Sequence, residues 1–248
     1  MSNLFDNEPI PRRTMVLFFV IDCSGSMSSD GKMGAVNAAI SEVLNDLKAI
    51  SKENADAQIK IAPLKFSTGA EWMCGESPFE AEYFEANGWT PLKASGVTDF
   101  GEACRMLNEK LSRNAFMRDT VGNYAPVIVL LSDGAPTDNY KNQLAALKDN
   151  KWFTSSTRIA IAIGEDAKMD VLAEFTDNPE AVFFAPTAEE LKKMIRVVSV
   201  RASQIGSKSS SVGIESKSKQ EETVEAIKEG LDNVQTYADI QSEMDSFQ

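Results

Sequence analysis

Residues Met15 to Ile21 form an uninterrupted apolar run, Met-Val-Leu-Phe-Phe-Val-Ile, that ends directly on Asp22. A short apolar run rich in Val, Phe and Ile reads as a strand buried on both faces, which is the property of an interior strand in a parallel α/β sheet. After it the chemistry changes at once. Asp22, Ser24 and Ser26 place three oxygen side chains at alternate positions, and Gly25 between them permits a sharp turn. Open α/β sheets bind their ligands at the carboxyl ends of the strands. The first strand therefore carries a group of hard oxygen donors to that end. Hard oxygens suit Mg²⁺, Mn²⁺ or Ca²⁺ rather than zinc or copper.

Composition removes many functions. The 248 residues contain no histidine, which excludes Ser-His-Asp and Cys-His catalysis, a His-zinc site and a His general base. The 3 cysteines, Cys23, Cys74 and Cys104, are odd in number and lack metal-ligand spacing, so they form no disulfide framework. Cys23 and Cys104 read as buried small hydrophobes, in keeping with a reducing cytoplasm. The formal net charge is −12, and there is no long basic run. That argues against nucleic acid or an anionic membrane as partner. No apolar run approaches the ~20 residues of a membrane span, and Met1 to Arg13 lack the basic start and apolar middle of a signal peptide. The expectation is a cytoplasmic protein.

Strand and helix patterns alternate along the chain. Met33, Val36, Ile40, Val43, Leu47 and Ile50 define one helix face. Strands are expected at residues 58–64, 126–131, 158–163 and 182–185, with an antiparallel edge strand near residues 69–74. Helices are expected from Phe100 to Leu111, over residues 142–149 and 170–175, and after the Thr187/Glu190 capping box. Residues 79–89 mix acidic and aromatic side chains and predict no single element. The pattern predicts an α/β fold, a doubly wound and mostly parallel sheet of about six strands with helices on both faces. No glycine-rich phosphate loop follows any strand. The Ser- and Lys-rich stretch 203–222 reads as a linker. Val224, Ile227, Leu231, Val234, Tyr237, Ile240, Met244 and Phe247 recur at threes and fours, predicting one amphipathic helix over 223–248, either folded back on its own domain or docking a partner.

The stretch Asp22-Cys23-Ser24-Gly25-Ser26 resembles the metal-ion-dependent adhesion site (MIDAS) of von Willebrand factor A (vWA) domains, whose pattern continues with a distant Thr and a distant Asp. Thr98 stands before the expected crossover helix and Asp133 at the end of the 126–131 strand. The resemblance implies a Rossmann-like vWA domain over residues 13–202, after an N-terminal extension of residues 1–12. It also implies a divalent cation, Mg²⁺ before Mn²⁺ or Ca²⁺, held by Asp22, Ser24, Ser26, Thr98 and Asp133. A shell rich in neutral hydroxyls leaves positive charge on the metal, which an Asp or Glu of a protein partner would meet. Asp99 and Asp138 read instead as helix-start residues.

Within that family, Ser132-Asp133-Gly134-Ala135-Pro136-Thr137-Asp138 resembles bacterial TerY-type proteins. Those are associated with tellurium resistance and stress response and often accompany a Ser/Thr kinase and a PP2C-type phosphatase. The implied function is a non-catalytic, metal-dependent protein-binding module. Two alternatives are a Mg²⁺-dependent phosphotransferase with Asp22 as nucleophile, and a structural scaffold with an empty site. The phosphotransferase pattern wants a second Asp two residues after the first, where this chain has Ser24.

Overall fold

The computed structural model describes residues 12–208, 218–231 and 234–246. The first strand, β1 (Arg13–Asp22), is buried at every residue after Arg13. Its pleat sends alternate side chains into two cores. Met15, Leu17, Phe19 and Ile21 enter one, and Val16, Phe18 and Val20 enter the other.

A single-turn 3-10 helix (Gly25–Ser28) follows, then α1 (Lys32–Glu53), β2 (Ala57–Ser67), β3 (Gly69–Trp72), β4 (Phe79–Glu80) and α2 (Tyr83–Asn87). The second half contains α3 (Phe100–Lys110), β5 (Val127–Ser132), α4 (Lys141–Lys148), α5 (Lys151–Thr154), β6 (Thr157–Ile163), α6 (Met169–Thr176), β7 (Val182–Ala185) and α7 (Ala188–Gly206). Two helices, α8 (Lys219–Gly230) and α9 (Tyr237–Asp245), close the described chain. The sheet has seven strands in the order β3-β2-β1-β5-β6-β7, with β4 also on β2. Five strands run parallel, and β3 and β4 pair antiparallel with the edge of β2. The seventh strand, β4, lies in the aromatic and acidic segment for which the sequence pattern predicts nothing.

Helices cover both faces. The buried residues of α1, α7 and α8 belong to the core with Met15 and Leu17. Those of α3, α4, α5 and α6 belong to the core with Val16 and Phe18. This is the expected doubly wound arrangement.

The C-terminal region departs from expectation twice. Residues 203–206, read as the start of a linker, are the last turn of α7. Ser203 is fully buried, and a Cβ on Gly206 would lie 2.7 Å from Val127 Cγ2. The small residues that suggest a linker serve instead to bring α7 close to the sheet. The apolar stripe after residue 223 is two helices rather than one. Leu231 is extended, Phe184 N–H donates to the Gln235 carbonyl at 2.9 Å, and Thr236 bridges to Phe183 of β7. A second capping box, Thr236 with Asp239, then opens α9. Val224, Ile227 and Leu231 join the α1/α7 core, so that half of the stripe is folded back on its own domain. Phe247, most of the N-terminal extension and linker residues 209–217 lie outside the described residues. Among the described residues no helix is long and apolar enough to cross a membrane.

Candidate metal centre

β1 sits between β2 and β5. The chain leaves β1 toward β2 through α1 and later returns to the other side of β1 as β5. That reversal makes the crevice at the carboxyl ends of β1 and β5 the switch point of the sheet. Asp22 is the last residue of β1, Asp133 directly follows β5, and Thr98 precedes α3. Three separate segments thus deliver the sequence-predicted residues to one place.

The geometry brings all five together. Asp22 is fully buried. Its Oδ1 accepts the Ser24 amide at 2.8 Å and its Oδ2 accepts the Ser132 hydroxyl at 2.7 Å. Burial pushes the Asp22 carboxyl above the ordinary carboxylate range, the nearby Asp133 charge acts in the same direction, and hydrogen bonds from Ser24 and Ser132 oppose both. Ser24 Oγ and Ser26 Oγ are 3.0 Å apart. The Ser26 hydroxyl donates to Asp133 Oδ1 at 2.6 Å, and the Lys32 ammonium donates to Asp133 Oδ2 at 2.8 Å. Gly134 locates the centre of the group. A Cβ there would lie 3.5 Å from Ser26 Oγ, 3.6 Å from Thr98 Oγ1 and 4.0 Å from Asp22 Oδ2. Any larger residue would fill the space onto which these oxygens converge.

The donor set is two carboxylates and three hydroxyls. Among the described residues no group of three or more His, Cys, Asp or Glu side chains is placed to hold a metal ion, so any cation here depends on the hydroxyls as much as on the two carboxylates. An all-oxygen set of this composition fits Mg²⁺, Mn²⁺ or Ca²⁺. Asp22, Ser24, Thr98 and Asp133 are buried and Ser26 is exposed, so the group opens to solvent on the Ser26 side.

The backbone fixes the loops against each other. Ser95 N–H donates to the Cys23 carbonyl at 2.8 Å and Gly25 N–H to the Gly96 carbonyl at 3.0 Å. Thr137 clamps Thr98 from the far side. Its hydroxyl accepts the Thr98 amide at 3.0 Å, while its own amide donates to the Thr98 carbonyl at 2.9 Å. Cys23 lies between ligands but is buried, its thiol pushed up to about 12 by burial and by Asp22, which leaves it inert as a nucleophile.

Sequence reasoning missed three supporting residues. Ser132 and Thr137 lie inside the 132–138 motif, where their positions give no hint of which atoms they bind. Lys32 gives no local signal at all. Of the two helix-start readings, Asp99 holds in position as the N-cap residue of α3, though its side chain makes no cap bond, and Asp138 needs correction. The Asp99 carboxylate accepts the Gly69 amide at 2.7 Å and so pins the β2–β3 turn. Asp138 does not cap α4. Its Oδ2 accepts the Glu102 amide at 3.3 Å, placing its charge at the N-terminus of α3, where the macrodipole favours an anion.

Residues 17–197 match the model of the von Willebrand factor type A domain. The chain belongs to this family. No curated protein matches the sequence. Among solved structures, the von Willebrand factor type A protein from Catenulispora acidiphila is similar at 19% identity and TM-score 0.58, over 77% of this chain and 43% of that one. Proximal thread matrix protein 1 from the mussel byssus, in a structure with a zinc-occupied MIDAS motif, is similar at 13% identity and TM-score 0.57, over 76% of this chain and 48% of that one. The minor pilin PilB from Streptococcus sanguinis is similar at 17% identity and TM-score 0.56, over 80% of this chain and 64% of that one. At these identities the likeness is one of fold, and this chain spans less than two thirds of each of these proteins.

Proposed function

We propose that the protein binds one divalent cation through Asp22, Ser24, Ser26, Thr98 and Asp133, and uses it to capture an Asp or Glu of a protein partner. Mg²⁺ is the first choice, with Mn²⁺ or Ca²⁺ as alternatives. The observation that carries this reading is the convergence of Asp22 Oδ2, Ser26 Oγ and Thr98 Oγ1 on one point above Gly134. A dication bound there supplies a local positive centre that the acidic protein otherwise lacks. Asp22 and Asp133 would balance the charge of the cation, while Ser24, Ser26 and Thr98 would contribute neutral oxygens and leave an open position for an incoming carboxylate. The zinc-occupied MIDAS of the mussel protein supports a cation at this position of the fold.

The protein acts on this reading as a binding module and not as an enzyme. A phosphotransferase would need Asp22 as an accessible nucleophile. Asp22 is fully buried, and both of its oxygens already accept hydrogen bonds. The resemblance of the 132–138 motif to TerY-type proteins supports a reading of the module as part of a bacterial stress-response or phospho-signalling complex in the cytoplasm. A Ser/Thr kinase or a PP2C-type phosphatase is then the candidate partner. The test is capture of partners from the native cell with and without chelator, alongside Thr98→Ala. Cation-dependent capture lost in Thr98→Ala supports the reading, and equal capture in chelator ends it.

A further inference from the structure

Lys32 is the residue the metal-site reading leaves unexplained. It opens α1, where a cation faces the positive end of the helix macrodipole. No acidic residue in the first turn of α1 offsets it. The backbone before it is unusual. Asp30 and Gly31 are both left-handed, with φ of 54° and 71°, a conformation that costs energy for the non-glycine residue. This turn starts the helix with Lys32 directed at the site. Room for the side chain comes from Gly164 at the end of β6, where a Cβ would sit 3.0 Å from Lys32 Cε and 3.1 Å from Nζ. The ammonium then meets Asp133 Oδ2 at 2.8 Å, with the Lys32 side chain 13% exposed and the Asp133 side chain fully buried. A helix-start lysine after a left-handed turn thus reaches across to Asp133, passing Gly164, whose own φ of 77° already favours glycine there.

We propose that the Lys32 ammonium is a built-in counter-cation of the site, which neutralises Asp133 when no metal is bound and competes with a divalent cation for the same carboxylate. The inference rests on the five-residue cation site proposed above. Without a cation, Asp22 and Asp133 bring two negative charges together in a buried space, and Lys32 cancels one of them. With a dication bound, the ammonium adds a like charge beside it. Lys32 therefore lowers cation affinity and leaves the loaded site with a net positive charge of one, counting Lys32, the cation and the two carboxylates. It makes the site one that loads at higher cation concentration, and it strengthens the attraction for an acidic partner once loaded.

The experiment is calorimetric titration of the full chain, stripped by chelator, with Mg²⁺ and with Mn²⁺. Wild type, Lys32→Met and Asp22→Ala are compared, with folding verified by circular dichroism. Lys32→Gln is the second variant, because it removes the charge and keeps a donor for Asp133. The expected result is at least about tenfold tighter binding in Lys32→Met and Lys32→Gln than in wild type, on the Coulombic argument, and no binding in Asp22→Ala. The cation-induced rise in melting temperature should also be larger in both Lys32 variants. Binding by the Lys32 variants alone supports the same competition in stronger form. Equal or weaker binding in folded Lys32 variants, with wild type binding, overturns the competition and leaves the cation site standing. No binding in wild type or in the Lys32 variants overturns both.

Discussion

Asp22 holds a carboxylate in a fully buried position with hydrogen bonds to both oxygens, and burial favours its neutral form. A residue kept there for stability alone would be better as a neutral isostere. Asp22→Asn should therefore fold normally and be at least as stable as the parent in chelator, as read by urea denaturation. It should gain nothing from added Mg²⁺, whereas the parent should be stabilised. Thr137 makes a second prediction. Thr137→Val removes the acceptor for the Thr98 amide, and an unsatisfied buried amide costs about 1–3 kcal/mol. Cation affinity should fall with it, because Thr98 loses its clamp, although Thr137 is not itself one of the five ligands. Unchanged affinity in Thr137→Val would mean that the loop is held by other contacts. The five residues that the structure brings together were legible through their resemblance to the vWA pattern, an Asp and two Ser after β1 followed by a distant Thr and a distant Asp. Lys32 was not legible. Its partner is 101 residues away, and a lysine opening an amphipathic helix looks like one more solvated charge.

At the scale of elements, β1 and β5 were readable from composition because strands buried on both faces admit no polar side chain until they end. The same burial rule marked the strand ends, since the first polar residue after each run is Asp22 or the Ser132-Asp133 pair. The C-terminal helices were less readable. Periodicity at threes and fours continues across residues 231–236, and it does not reveal that Gln235 and Thr236 turn aside to pair with β7. Only the Thr236/Asp239 capping box marks the new start. Ile227 lies fully buried in the core shared with α1 and α7, so Ile227→Ala should cost about 2–5 kcal/mol. Chemical denaturation measures this directly. A loss within about 0.5 kcal/mol, the level of a surface change, would show that α8 is an adornment of the domain rather than part of it.

At the scale of the molecule, the two wings of the sheet and the loops between them act on one point. The net charge of −12 gives no general attraction for acidic groups, so on the proposed function an acidic partner is drawn by the cation at the carboxyl end of the sheet. The C-terminal helices lie against α7 and β7, away from the segments that carry Asp22, Thr98 and Asp133. Partner capture should then survive mild destabilisation of α8 and fail with loss of the cation. In Ile227→Ala, assayed at a temperature where the variant is still folded, chelator-sensitive capture should equal that of the parent. Loss of capture in this variant would shift the docking surface to the C-terminal helices.

Cation binding at the carboxyl ends of β1 and β5 is measured by calorimetric titration of chelator-stripped protein with Mn²⁺, comparing wild type with Asp22→Ala and Thr98→Ala. The structure predicts one site in wild type, no detectable binding in Asp22→Ala and markedly weakened binding in Thr98→Ala, with all three proteins folded. Equal affinity in wild type and Asp22→Ala would contradict a metal centre at the carboxyl ends of β1 and β5.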